Sequence, residues 1–205
     1  ETSKLYKTVA GTKYVSLFEE LIFSSIKGQI EDCLLQKKNG NKEEKLIIAK
    51  NKNKILSAFS VVVASMLQNS KQANFSISFT DNFLLGLQML DDISDFESDY
   101  KDGNLTYLLS NSTIKDNLHN RHLLLKQLIS SNMLQRTLDI VILSLESGFN
   151  MVKNKSMNSS INYINKLIIE TNKLKTFISL YQISDIESDI LDKIDNQLKI
   201  ISCST

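Results

Sequence analysis

The chain has 205 residues, 42% of them hydrophobic and 23% charged, with a formal net charge of +1. That length suits one domain with a core of its own, and the near-neutral balance excludes the global basic field that recruits nucleic acid. Proline is absent and glycine occurs six times; because proline removes an N–H and clashes with the preceding turn, its absence predicts long, uninterrupted helices. The two cysteines, Cys33 and Cys203, form neither a disulfide framework nor a metal-ligand spacing, which predicts a reduced, cytoplasmic setting. The longest apolar run, Ile55 to Leu67, falls short of the ~20 residues that span a bilayer, so no transmembrane segment is expected, and no signal peptide is visible. The chain starts at Glu1 and not at Met, which predicts a fragment, a processed product or a trimmed chain.

Helical periodicity runs through almost the whole sequence. Leu5 to Gln36 reads as one or two helices, with Tyr14, Leu17, Phe18, Leu21, Ile22 and Ile26 as the apolar stripe. Lys37 to Asn41 holds an Asn-Gly turn signal, and Glu43 to Gln68 reads as a second long helix. Asn69 to Ser78 reads as a polar connection; Phe75 to Phe79 alternates like a strand but is short enough to be loop. Thr80 or Asp81 is placed to cap the next helix, which runs to about Tyr100 and stops near Gly103, a suitable C-terminal cap. Further helices are predicted at roughly 114–130, 132–153, 157–182 and 184–202. The economical architecture is one all-α bundle over residues 1–205.

The helix before Gly103 carries Gln88, Asp91, Asp92, Asp95, Glu97 and Asp99. With Asp91 at zero, an α-helix puts Asp95 at ~40°, Gln88 at ~60°, Asp99 at ~80° and Asp92 at ~100°. The aspartates and the amide therefore share one strip, and Glu97 falls on another side. Like charges at i,i+4 destabilise a helix by ~0.2–0.5 kcal/mol per pair, and acidic residues late in a helix oppose its dipole. A hard cation such as Mg²⁺, which takes carboxylate and phosphate oxygens, would relieve both. The plainer alternative is a solvated acidic helix end. Lys37, Lys38, Lys42, Lys45, Lys50, Lys52 and Lys54 form a basic stretch, so the chain offers both signs that a metal–diphosphate complex needs; two solvated helix surfaces would account for the same charges.

Leu87-Gln88-Met89-Leu90-Asp91-Asp92-Ile93-Ser94-Asp95 resembles the second aspartate-rich motif of trans-prenyl diphosphate synthases, Phe-Gln-x-x-Asp-Asp-x-x-Asp, with leucine for phenylalanine. Asp95-x-x-x-Asp99-x-x-x-Gly103 is similar to the second motif of squalene and phytoene synthases. Gly28-Gln29-Ile30-Glu31-Asp32 resembles the Gly-Gln-x-x-Asp element of the same class I isoprenoid synthase superfamily. Ile48 to Asn53 falls where prenyl synthases carry a Lys-Thr pair; Lys52 is its match, with Asn53 for threonine and Lys50 or Lys54 as alternatives. The combination looks most like the bacterial enzymes that prenylate competence pheromone peptides. The resemblance covers roughly residues 15–110.

It implies an isoprenoid synthase-type bundle in which Asp91, Asp92, Asp95 and Asp99 bind Mg²⁺, Lys52 and Gln88 act catalytically, and Gln29, Asp32, Lys52 and Lys101 contact a prenyl diphosphate. The implied activity is Mg²⁺-dependent ionisation of an allylic prenyl diphosphate, leading to elongation, transfer to an acceptor, or cyclisation. The family's first aspartate-rich motif has no counterpart here: before Gly28 the only carboxylates are Glu1, Glu19 and Glu20. The other half of the site is then expected from a missing N-terminal segment or a partner subunit, in a homo- or heterodimer. The alternatives are a non-catalytic relative that stabilises or tunes a synthase, and a helical interaction domain with no isoprenoid link.

Other groups read as structural. His119 and His122, at i,i+3, lack further ligands nearby and read as surface or satisfied histidines. Asp185 to Asp189 reads as a solvated helix start, where acids suit the dipole. No Gly-rich phosphate loop or nucleophile elbow is present.

Overall fold

A computed structural model describes residues 14–35, 41–66, 70–110, 120–153, 158–180 and 187–202. Among them there is no strand, and the all-α expectation holds. The helices are α1 (Val15–Leu35), α2 (Lys42–Lys52), α3 (Lys54–Met66), α4 (Ser70–Ser94), α5 (Phe96–Asp102), α6 (Arg121–Ser130), α7 (Met133–Val152), α8 (Asn158–Ser179) and α9 (Ser188–Ser202). No helix among the described residues is long and apolar enough to cross a membrane.

The main departure from the sequence reading is at residues 70–81. These do not form a polar connection; they are the first turns of α4. The alternating Phe75 to Phe79 segment serves two neighbours at once. Phe75 and Phe79, one turn apart, pack toward the main core, while Ile77 packs on a second cluster. The Phe79 and Phe83 rings stack at 5.7 Å, and Phe83 meets Tyr163 edge-on at 6.5 Å. Thr80 and Asp81 do not cap. The Thr80 hydroxyl donates back to the Ser76 carbonyl at 2.6 Å. Asp81 accepts from the Ser57 hydroxyl at 2.6 Å and pairs with Lys54, tying α3 to α4. An intrahelical bond for Thr80 and tertiary partners for Asp81 thus replace the capping roles that their composition suggests.

Two predicted single helices are each interrupted. The one from Glu43 onward breaks at Asn53, which caps α2 and sends its amide to the Ala49 carbonyl at 3.2 Å. The acidic helix breaks at Asp95, although the Asp95 N–H still bonds the Asp91 carbonyl at 2.9 Å and the Asp99 N–H the Asp95 carbonyl at 2.9 Å. Gly103 ends α5 with φ 73°, a left-handed position that glycine adopts without a Cβ penalty. The last three helices lie within a few residues of expectation; α6 ends at Ser130 as expected, the residues 114–119 expected to begin it lie outside the described residues, and Asn120 caps it by accepting from the His122 N–H at 2.8 Å.

Two apolar clusters hold these elements. The main one centres on α4 and α7, where Met89, Leu90 and Ile93 meet Leu138, Val141 and Leu145, and it extends into α5, α6, α8 and α9. The smaller one joins α1 and α3 through Val15, Phe18, Leu21, Ala58 and Val61. Between them α2 packs on α1 and α4, contributing Ala49 to the main cluster. On the outside, α1 exposes Phe23 (71%), Ile26, Ile30 and Leu34 (67%), and α3 exposes Ile55, Leu56, Phe59 and Val63. At 100° per residue each set lies within an arc of about 100° or less, so each is a stripe.

Candidate functional site

The long-range packing opens one polar cleft between α1–α2 and α4–α5. Lys45, Ala49 and Lys52 of α2 line one wall with Asp32 of α1. Gln88, Asp91, Asp92, Asp95 and Asp99 line the other, and Asn104, Leu105, Thr106 and Tyr107 close an end. Its volume is about 130 Å³, below the ~300–1,000 Å³ of pockets that enclose a whole organic ligand. It has room for a charged headgroup with its counter-ions, and its lining is mostly polar.

The α1–α2 wall depends on Gly28. A Cβ there would sit 2.7 Å from the Lys52 backbone nitrogen and 2.8 Å from the Asn51 Cβ, so only glycine lets the helices approach this closely. The Ser25 hydroxyl, one turn earlier, donates to the Lys52 carbonyl at 2.9 Å. Asp32, one turn later, pairs with the Lys52 ammonium at 2.9 Å. Glycine and aspartate of the Gly-Gln-x-x-Asp element thus act together to seat Lys52.

The acidic wall follows the angular argument, graded in depth. Asp91 and Asp95 are exposed, Asp99 is half-buried and Asp92 is 7% exposed. The Gln88 amide donates to Asp92 Oδ1 at 3.1 Å and to Asp91 Oδ2 at 3.4 Å. Burial pushes the Asp92 carboxyl up to about 7, against the Gln88 hydrogen bond. Burial, then the charge of Asp95, raises Asp91; burial chiefly raises Asp99, opposed by Asn104, whose amide lies 3.4 Å from Asp99 Oδ1. Each of these three carboxyls therefore gains from a cation that balances its charge.

Two residues expected to contact substrate lie outside the cleft lining. Lys101 turns away: its Nζ lies 2.7 Å from Glu97 Oε1, and it does not line the cleft. Gln29 is exposed on α1 and is also outside the lining. Glu97 is held by Lys101 and by Arg121 at 3.2 Å, in keeping with its exclusion from the strip. Of the alternatives to Lys52, Lys50 is exposed and Lys54 is engaged with Asp81; neither lines the cleft. His122 pairs with Asp192 at 3.0 Å, a satisfied histidine, while His119, Cys203 and residues 37–40 lie outside the described residues.

No family model matches the chain, and neither a curated protein nor a solved structure matches it significantly.

Two cleft residues escape the sequence reading. Lys45 is 3% exposed, unusual for lysine, and stands two turns before Lys52 on the same face of α2. It is one of many lysines in the basic stretch, and only its i,i+4,i+7 register with Ala49 and Lys52 distinguishes it. The Thr106 hydroxyl is buried without a hydrogen-bond partner among the described residues, and nothing local in the sequence marks it.

Among the described residues no group of three or more His, Cys, Asp or Glu is gathered tightly enough to hold a metal ion by itself. The donor set nonetheless suits Mg²⁺, which uses one or two carboxylates and completes its shell with water and substrate phosphates. Opposed lysines and an orphan hydroxyl fit the anionic part of such a complex.

Proposed function

We propose that this chain is the second metal-binding half of a Mg²⁺-dependent class I isoprenoid synthase, acting on an allylic prenyl diphosphate. One observation carries the reading: Lys52 and Asp32, which are far from the aspartates in sequence, converge with Gln88, Asp91, Asp92, Asp95 and Asp99 on one cleft. Those are among the groups that the resemblance assigns to the chemistry, diphosphate and metal; Gln29 and Lys101 are not in the lining.

In this reading Asp91 and Asp95, at the open edge, and the deeper Asp92 and Asp99 would hold Mg²⁺. Gln88 fixes the orientation of Asp91 and Asp92 through its two amide contacts. Lys52, steadied by Asp32, offers its ammonium to a phosphoryl oxygen. Bound Mg²⁺ would supply Lewis-acid stabilisation of the charge growing on the departing diphosphate. The cleft's size and polarity match the headgroup alone, so the prenyl chain and its carbocation belong against apolar surface outside it. The exposed stripe of α1 does not offer that surface, because Ile30 and Leu34, two residues either side of Asp32, face the opposite side of the helix. A second carboxylate cluster, from another segment or from a partner subunit, completes the site.

The lack of an apolar chamber in the cleft favours a second reading, a non-catalytic subunit that binds metal–diphosphate and tunes a synthase. Incubation with Mg²⁺ and prenyl diphosphates of increasing length, followed by mass spectrometry, separates the two. Diphosphate release with a new prenylated or cyclised product supports the enzyme. Binding without turnover supports the subunit. Binding that is absent, or unaltered in Asp91→Asn/Asp95→Asn, rejects both.

A further inference from the structure

We infer that Lys45 and Thr106 form an inner anion-binding end of the cleft, so that this chain binds inorganic diphosphate with Mg²⁺ whether or not a prenyl chain is attached. The inference rests on the metal–diphosphate reading above and extends it to two residues that the resemblance does not assign.

Lys45 is an ammonium held almost wholly inside the protein. Removing it from water is costly unless charge and hydrogen bonds compensate. Burial opposes its charge, and Asp32, Asp92 and Glu44 favour it. A counter-charge for Asp92 alone would be a structural explanation of Lys45, but it leaves the open volume beside it unexplained. Lys45 and Lys52 lie ~10 Å apart along the axis of α2, a gap that two flexible four-carbon arms can close onto one ligand. A diphosphate has enough anionic oxygens to engage both lysines while others face the carboxylate-bound cations.

Thr106 supplies independent support. Its hydroxyl is buried, in a residue of the cleft wall, with no hydrogen-bond partner among the described residues, and an unmade buried hydrogen bond is expensive. A phosphoryl oxygen is an acceptor for that donor. The cleft's 130 Å³ suits the headgroup, and only Ala49, Leu105 and Tyr107 among its lining are hydrophobic, so an alkyl tail gains little from entering it.

Isothermal titration with inorganic diphosphate and with a prenyl diphosphate, each in excess MgCl₂, tests this on the wild type and on Lys45→Met, Lys45→Arg and Thr106→Val. Both ligands are expected to bind wild type, since the headgroup contacts in the cleft are common to the two. Lys45→Met should weaken both roughly ten- to a hundredfold, as for loss of a charged hydrogen bond, and Lys45→Arg should restore most of the loss. Thr106→Val should weaken both roughly three- to tenfold while leaving the melting temperature unchanged or raised, because it deletes an unsatisfied buried hydroxyl. A purely structural role would not produce that pairing of lower affinity with undiminished stability. If Lys45→Met does not fold, Thr106→Val decides. Wild-type affinity in folded Thr106→Val and Lys45→Met overturns this inference and leaves the broader reading standing. No binding of either ligand to wild type overturns both, and binding of the prenyl diphosphate alone overturns this inference only.

Discussion

Asp92 is a buried carboxyl that accepts a hydrogen bond from the Gln88 amide, and its chemistry sets a pH signature. Its folded pKa of about 7 lies above the ordinary 3.8, so the folded state holds the proton more tightly than the unfolded chain. Its contribution to stability is full below about pH 4 and is lost as pH rises through about 7. At ~1.4 kcal/mol per unit the limit is about 4 kcal/mol. In chelator, the wild-type melting temperature should fall relative to Asp92→Asn across that window, and Mg²⁺ at pH 8 should return part of the loss to wild type only. Parallel pH profiles for the two proteins would defeat this account. Asp195 works in the opposite sense: although burial pushes it up, hydrogen bonds from Arg121 and Lys199 hold its carboxyl below 3.8, so its contribution is lost as pH falls below about 4. The acidic strip is legible in the sequence because helical pitch alone aligns Asp91, Asp95, Asp99 and Asp92. Depth is not legible: ~100° of rotation separates an exposed Asp91 from a buried Asp92, and only packing says which edge of the strip meets the core.

At the scale of elements, the contact of α1 with α2 is the joint on which the basic wall depends. Gly28→Ala would push a methyl into the backbone of Lys52, and overpacking of this kind costs ~1–3 kcal/mol. The expected outcome is a lower denaturation midpoint with an unchanged m-value, and weaker Mg²⁺–diphosphate binding than stability alone explains, because Lys52 would shift from Asp32. A Gly28→Ala protein as stable as wild type would rule out the close approach. Most helices are legible in the sequence because apolar periodicity survives in each. Residues 70–78 are not, because their polar composition suggests a connection, with Thr80 or Asp81 as the cap of the helix after it. Asp81 is satisfied by Ser57 and Lys54, partners that only the tertiary structure supplies, and Thr80 by the preceding turn of α4. Lys101 is close to the strip in sequence, and it pairs with Glu97 one helical turn away.

Across the whole molecule, Arg121 fastens α6 to both α5 and α9. Its guanidinium reaches Asp195 at 2.6 Å and Glu97 at 3.2 Å and lies 4.3 Å from the Phe96 ring centroid. Arg121→Met would strand a buried Asp195, and breaking such a pair costs ~3–5 kcal/mol; exposure of the guanidinium puts the expectation at the lower end. A loss below about 1 kcal/mol in chemical denaturation, the range of a surface pair, would mean that Lys199 compensates. The division of apolar side chains into a large and a small cluster also orders local stability. In hydrogen exchange, α4 and α7 should be the slowest segments, with α1 and α3 opening first.

The cleft runs along the boundary between those two clusters. Its walls belong to layers that are otherwise held together by α2 and by the α3–α4 contact. A polyvalent ligand there would act as a rivet, bridging layers that could separate without it. Occupancy would then be readable as resistance to unfolding, amounting to ~2.7 kcal/mol when free ligand stands at about a hundred times its Kd. The rivet would slow exchange in α1 and α2 more than in α7, so the position of the protected amides would report which layer had been loose.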